Sequence, residues 1–365
     1  MQKPAHLLSR LPSLDGWRAL CIFAVLGSHC TASVGFPPAL ATPFHWIFDG
    51  DLGVRMFFII SGFLITWLML NEHDRSNQMS LWRFYARRAL RILPVYFAYL
   101  SILVVLQYFT VYRQSNNIWI ANLTFTTNFA QGGNWTSGHL WSLAVEEQFY
   151  VLWPCLFVIF RCGRSLERCL WILVLPICIA PLSRVLSYLD AAPSYFQIFF
   201  SHYSFLNYFD SLAIGCTCAV LLVRRPKKIN LLATIRPRLI FFIGLALIIV
   251  PYSLNRLLLF GFITVPFRFT CEGFGLALLL LQSLILPHSK LYQVLNQRWI
   301  RLVGMLSYSI YIWQEVFCTR PDVFGLGPVW WMSFPYWIIP ALLMACVSYF
   351  GLERPFLQLR AHFRT

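Results

Sequence analysis

Apolar residues fall along this chain in long blocks, not in the alternating or amphipathic pattern of a soluble domain. Runs of about 17–25 residues, each enough to cross the hydrocarbon layer as a helix, lie near 17–35, 52–70, 89–111, 143–160, 168–187, 205–223, 238–254, 268–286, 302–318 and 331–350. The pattern predicts an all-α, polytopic membrane protein with about ten transmembrane helices. No repeat of the kind that marks inverted-symmetry transporters is evident, and no low-complexity linker divides the chain. The expected organisation is therefore one transmembrane domain over 1–365. The polar connection 112–142, rich in Asn, Thr, Gly and Trp, is expected to be an ordered lid or acceptor platform.

Composition supports a membrane setting. Of 365 residues, 58% are hydrophobic and 12% charged, against about 25% charged in soluble domains. The net charge of +15 would suggest nucleic acid in a soluble chain. Here the basic residues sit between apolar runs, so they read as topology signals and no nucleic-acid partner is expected. With the N-terminus in the cytoplasm, most Lys and Arg fall on that side, including Lys3, Arg10, Arg83, Arg87, Arg88, Arg354, Arg360 and Arg364. The opposite side holds Arg55, Arg113, Arg184, Arg256, Arg268 and Arg320. That asymmetry follows the positive-inside rule and predicts both termini in the cytoplasm. No apolar stretch precedes Trp17, so the first helix is expected to stay in the membrane. The eleven cysteines are scattered, mostly inside apolar runs, and suggest neither a metal site nor a disulfide framework.

Three groups of residues could carry chemistry. Arg18 and His29 are eleven positions apart on the first predicted helix, which returns both to nearly one face about 16 Å apart. That places His29 near mid-bilayer. A membrane histidine on its own serves equally as an interhelical hydrogen-bonding group or as part of a site. Arg18 on the same face favours the site. A histidine of near-neutral pKa suits a general base that takes a hydroxyl proton. In Arg83-Phe-Tyr-Ala-Arg87-Arg88-Ala-Leu-Arg91, arginines at the inner boundary could act only as anchors. Arg91 lies inside the apolar run, however, and Arg88 and Arg91, as i, i+3 neighbours, suit bidentate phosphate binding. Among the carboxylates, Glu146 and Glu147 sit at the outer end of the fourth run, about 100° apart on a helix. Asp210 and Glu272 read as partners for neighbouring helices, while Glu315 stays open. Ser61-Gly62 marks a close helix contact.

Six ordered motifs make the chain resemble the acyltransferase-3 family of membrane O-acyltransferases, which modify bacterial glycans. They are Leu14-Asp-Gly-Trp-Arg18-Ala with His29; Gly53-Val-Arg-Met-Phe-Phe-Ile-Ile-Ser-Gly-Phe-Leu-Ile; Phe84-Tyr-Ala-Arg-Arg-Ala-Leu-Arg91-Ile-Leu-Pro; His139-Leu-Trp-Ser-Leu-Ala-Val-Glu-Glu-Gln-Phe-Tyr150; Leu306-Ser-Tyr-Ser-Ile-Tyr-Ile-Trp-Gln314; and Glu353-Arg-Pro-Phe356. The resemblance implies an integral multi-pass protein of the bacterial cytoplasmic membrane with a ten-helix core. It implies transfer of a short acyl group, acetyl by default, to a hydroxyl of a glycan, glycolipid or other glycosylated acceptor. The donor would be acyl-coenzyme A from the cytoplasm, used as a substrate, with no tightly bound cofactor.

By matching motif, His29, Arg18 and Glu147 are the catalytic candidates, with Glu146 also open, and Arg88 and Arg91 are the donor-binding candidates. Gln314 stands where many members carry histidine and is expected to hydrogen-bond without titrating. Many relatives append an extracytoplasmic esterase-like domain; none is expected here, so a second transfer step would need another protein. Either His29 deprotonates the acceptor directly, or a covalent acyl-histidine relay operates. Arg18 would bind donor phosphate or stabilise charge along the groove. The competing reading is a glycan or lipid transporter without acyl transfer.

Overall fold

The computed structural model describes residues 11–130, 133–189 and 203–363, apart from the side chains at 361 and 362. Lys3, Arg10 and Arg364 lie outside them. The helices are α1 (Leu14–Cys30), α2 (Pro38–Ile47), α3 (Gly50–Ser76), α4 (Leu81–Phe109), α5 (Asn116–Leu123), α6 (Trp135–Gly138), α7 (Leu140–Ile159), α8 (Leu166–Tyr188), α9 (Phe205–Arg224), α10 (Pro226–Ile235), α11 (Pro237–Arg256), α12 (Gly261–Ile285), α13 (Arg298–Cys318), α14 (Ile338–Ser348) and α15 (Arg354–Leu359). Among the described residues the only extended pairing is an isolated bridge between Val34 and Ser333. Helix is what an apolar solvent requires, because each backbone polar group must be satisfied within its own segment.

Each of the ten apolar runs falls on a helical stretch, and among the described residues eight such stretches are long and apolar enough to cross a membrane. Outside those eight are α1, with 17 residues, and α13, whose apolar residues are interrupted by Ser307, Tyr308, Ser309, Gln314 and Glu315. Two of the boundaries that differ from expectation bear on the candidate residues. The first helix stops at Cys30, not near 35, because Thr31 Oγ1 and Ser33 Oγ donate to the carbonyls of Ser28 and Cys30. Such local bonds compete with helix propagation, and they place His29 in the last turn of α1. The fourth span starts earlier, at Trp135, so Glu146 and Glu147 lie near its middle, not at its outer end.

Two compact units emerge. The first comprises Met1–Cys21, Val54–Asp74 and Phe157–Met305. In it α8 packs on α9, α11 on α12, and α12 on both α8 and α9. Where α3 crosses α9, a Cβ on Gly62 would strike the Leu212 carbonyl and one on Gly215 the Ile59 carbonyl, so paired glycines allow the backbones to touch. Buried charges are paired: Arg55 and Arg268 share Glu272, and Arg184 Nη2 lies 2.6 Å from Asp210 Oδ2. The expectation that Glu272 and Asp210 serve neighbouring helices is met. Phe269 lies among the three guanidinium groups, at 3.9 Å from Arg55, 4.8 Å from Arg184 and 5.5 Å from Arg268.

The second unit comprises Ile22–Gly53, Arg75–Leu156 and Leu306–Thr365. Ser80 caps α4 by accepting from the Arg83 amide, the helix-start bond expected of serine. Tyrosines tie its elements together: buried Tyr96 Oη donates to the Asn122 carbonyl at 2.7 Å, half-buried Tyr308 Oη to that of Ile92 at 2.7 Å, and buried Tyr99 Oη to that of Thr136.

Candidate functional site

Within the second unit, the end of α1, the residue joining α6 to α7, and α13 bring three titratable side chains together. His29 Nε2 lies 3.8 Å from Glu315 Oε1. The other oxygen, Oε2, is 2.7 Å from His139 Nδ1. Glu315 is thus a carboxylate between two imidazoles, with its own side chain only 5% exposed. Such a carboxylate fixes the ring orientation of a base and stabilises its protonated form. His29 Nδ1 is buried and takes no hydrogen bond from the described residues, and the same holds for His139 Nε2 and both amide atoms of Gln314. Gln314 is among the polar neighbours of His29.

The surroundings hold this arrangement in place. Tyr311 Oη donates to the His139 carbonyl at 2.9 Å and shares a hydrogen bond with Ser142 Oγ. Tyr99 packs edge-on to His139, at 5.5 Å between centroids, and to Trp313. Trp135 lies against His29, with ring centroids 5.3 Å apart. Gly27 leaves room for the Phe48 ring, which a Cβ there would strike. His29 is therefore only partly exposed, at 20% of its side chain.

A second cluster in the same unit contains the arginine motif. The Arg88 guanidinium lies 5.0 Å from the Tyr150 ring and 5.8 Å from that of Phe84, with Arg91, Glu146 and Glu147 as its charged neighbours. Glu146 accepts from Tyr150 Oη at 3.0 Å. Glu147 keeps Oε1 buried without a hydrogen bond from the described residues. Arg87 instead donates to the Phe363 carbonyl at 3.0 Å, and Arg83 is exposed, so only Arg88 and Arg91 of the motif join the cluster. From His139 to Glu147 is eight residues, and from Glu315 to Tyr308, which has Glu147 and Arg91 among its charged neighbours, seven. At 1.5 Å per residue the two clusters lie roughly 10–12 Å apart along the helices.

Of the sequence candidates, the structure brings His29 beside Glu315 and His139, and Arg88 and Arg91 beside Glu147. Glu147 belongs with the arginines and not with His29. Arg18 is on the same continuous α1 as His29 but falls in the first unit. Sequence reasoning did not single out His139 and left Glu315 open. The available signal was a lone carboxylate beside Gln314 in an apolar run.

Comparison with known proteins gives a consistent result. A family model described as an acyltransferase domain matches residues 11–354. The chain is 27% identical over 372 residues to O-acetyltransferase OatA of Staphylococcus aureus, covering 94% of this chain and 57% of that protein. It is 27% identical over 377 residues to the "putative peptidoglycan O-acetyltransferase YrhL" of Bacillus subtilis, covering 94% and 54%. It is 26% identical over 354 residues to peptidoglycan O-acetyltransferase OatA of Listeria monocytogenes, covering 85% and 49%. The chain thus spans about half the length of the curated relatives it matches. No solved structure matches it.

Proposed function

Because the chain belongs to the acyltransferase-3 family, we propose that it is a membrane-embedded O-acyltransferase. It moves a short acyl group, acetyl by default, from acyl-coenzyme A on the cytoplasmic side to a hydroxyl of a glycan. The acceptor class follows the relatives, two of which are named for peptidoglycan. Both termini are cytoplasmic and the membrane is the bacterial cytoplasmic one. The observation that carries this reading is the pairing of His29 with Glu315, whose second oxygen is held by His139.

The mechanism assigns each cluster one task. Arg88 and Arg91 bind the donor's phosphates, for which guanidinium forks are well matched. Glu147, beside Arg88, orients that guanidinium. The separation of roughly 10–12 Å between the clusters suits an extended donor arm with phosphates at one end and thioester at the other. The acceptor hydroxyl gives its proton to His29 Nδ1 as its oxygen attacks the thioester carbonyl. The carbon–sulfur bond breaks, the thiolate takes the proton back from His29, and an ester and a thiol result. Glu315, facing Nε2, stabilises the imidazolium between those steps. Arg18, on the α1 segment that starts at the cytoplasmic side, guides the anionic donor into the membrane. His29 in the last turn of α1 is then near the outer side, where a glycan acceptor arrives.

His29→Ala tests this reading. The variant should reach the membrane in normal amount and leave the glycan unesterified, as judged by mass spectrometry of cell glycans with and without the gene. Esterification at the wild-type level would overturn the mechanism.

A further inference from the structure

When an acceptor oxygen bonds to a thioester carbon, the carbonyl oxygen gains negative charge. Neither His29 nor Glu315 can hold that charge, since one takes a proton and the other is an anion. The residue before Glu315 on α13 can. Gln314 is fully buried and lies beside His29, yet neither its amide nitrogen nor its amide oxygen hydrogen-bonds to the described residues. Buried polar groups in folded proteins nearly always have a partner, because one left without it keeps its full desolvation penalty.

Other polar groups of α13 are spent on the fold. Ser309 Oγ donates to Glu353 Oε2 at 2.9 Å, Tyr311 Oη to the His139 carbonyl at 2.9 Å, and Glu315 Oε2 lies 2.7 Å from His139 Nδ1. Gln314 makes no such bond, and Trp313 Nε1 next to it is also buried without one. Access selects the ligand. The His29 side chain is 20% exposed and so open to an acceptor, whereas Gln314 is closed to solvent and is reached only by a group that enters the bundle. The arm of acyl-coenzyme A is such a group. It carries amide groups and a thioester carbonyl, so it can answer the donors and the acceptor of Gln314 together.

We propose that Gln314 is a further catalytic residue, donating an Nε2–H to the thioester carbonyl oxygen of the donor and holding the charge that builds there. The inference rests on the acyl-transfer reading above. As the acceptor oxygen bonds to the carbonyl carbon, the π pair of the carbonyl moves onto its oxygen, against the amide. When the carbon–sulfur bond breaks, that pair re-forms the carbonyl, and the thiolate leaves with the proton held by His29. A donor placed this way acts on charge that develops in the transition state and far less on the neutral carbonyl. Its loss therefore falls on kcat and spares donor binding.

Gln314→Met keeps the length of the side chain and removes both polar atoms. In membrane vesicles that carry the native glycan and are given acetyl-coenzyme A, this variant should lose about a hundred-fold in kcat, with the donor KM within about three-fold of wild type. Its melting temperature should stay level or rise, because no unpaired amide is then buried; a residue that merely holds the fold would shift it down. Gln314→His returns an N–H donor at similar reach and should recover at least about ten-fold in kcat over Gln314→Met. Four results would overturn the proposal while wild-type transfer stands: a Gln314→Met kcat within about three-fold of wild type, a loss confined to the donor KM, a melting temperature that falls with activity, or equal activity of the two variants. Absence of ester from the wild type would instead remove acyl transfer itself, and the role of Gln314 with it.

Discussion

Replacing Glu315 by glutamine keeps the size of the side chain and removes its charge. In the proposed mechanism that charge faces His29 Nε2 at 3.8 Å and acts only while the imidazole is protonated. Two unit charges at that distance interact by about 1 kcal/mol in water and about 4 kcal/mol at an effective dielectric constant near 20. At one factor of ten per 1.36 kcal/mol, kcat should fall by about five-fold to about a thousand-fold. The donor KM should change little, because Arg88 and Arg91 are roughly 10 Å away along the helices. The assay is transfer in membrane vesicles at varied donor concentration, with ester formation read by mass spectrometry. His139→Gln, which loosens the hold on Oε2, should give a smaller loss of the same kind. Since both residues act through His29, Glu315→Gln should cost nothing further in a His29→Ala background, the non-additivity expected of a unit. A kcat within three-fold of wild type, or a full additive loss in the double variant, would refute the dyad.

Two further outcomes follow from the geometry. Arg88→Lys keeps the charge but loses the planar fork, so the donor KM should rise by about ten-fold or more with kcat nearly unchanged; Arg83→Lys, at an exposed position, should do neither. Gly62→Leu and Gly215→Leu should each lower the melting temperature and the yield of folded protein, because their side chains would meet backbone carbonyls across the α3–α9 contact and overpacking costs about 1–3 kcal/mol or more. Gly351→Leu is the control, since nothing lies within 4 Å of a Cβ there.

The ten apolar runs were enough to locate the long helices, because burial in hydrocarbon imposes helix on any segment of that length. Helix ends were less legible. Ser28, Thr31 and Ser33 look in sequence like a small polar patch within a span, and only the structure shows Thr31 and Ser33 bonding back to carbonyls and ending α1. The partners of Asp210 and Glu272 were legible in kind, since a membrane carboxylate needs a cation, but not in identity. The pairing of His29 with Glu315 and His139 could not be read from spacing. The three residues are separated by more than a hundred positions in each step, and only packing sets their distances. Glu147 illustrates the reverse case: its motif marked it as a candidate, and the structure assigns it to the arginine cluster.

The two long helices outside the eight apolar spans are α1 and α13, which carry His29 and Glu315. Ser307, Ser309, Gln314 and Glu315 leave α13 without a continuous apolar run, and α1, at 17 residues, is at the short limit for crossing the hydrocarbon. Both must be drawn into the bilayer by helices that insert readily. The residues proposed for chemistry thus set the order of biogenesis: the apolar helices enter first, and the segments bearing the reactive groups settle among them afterwards.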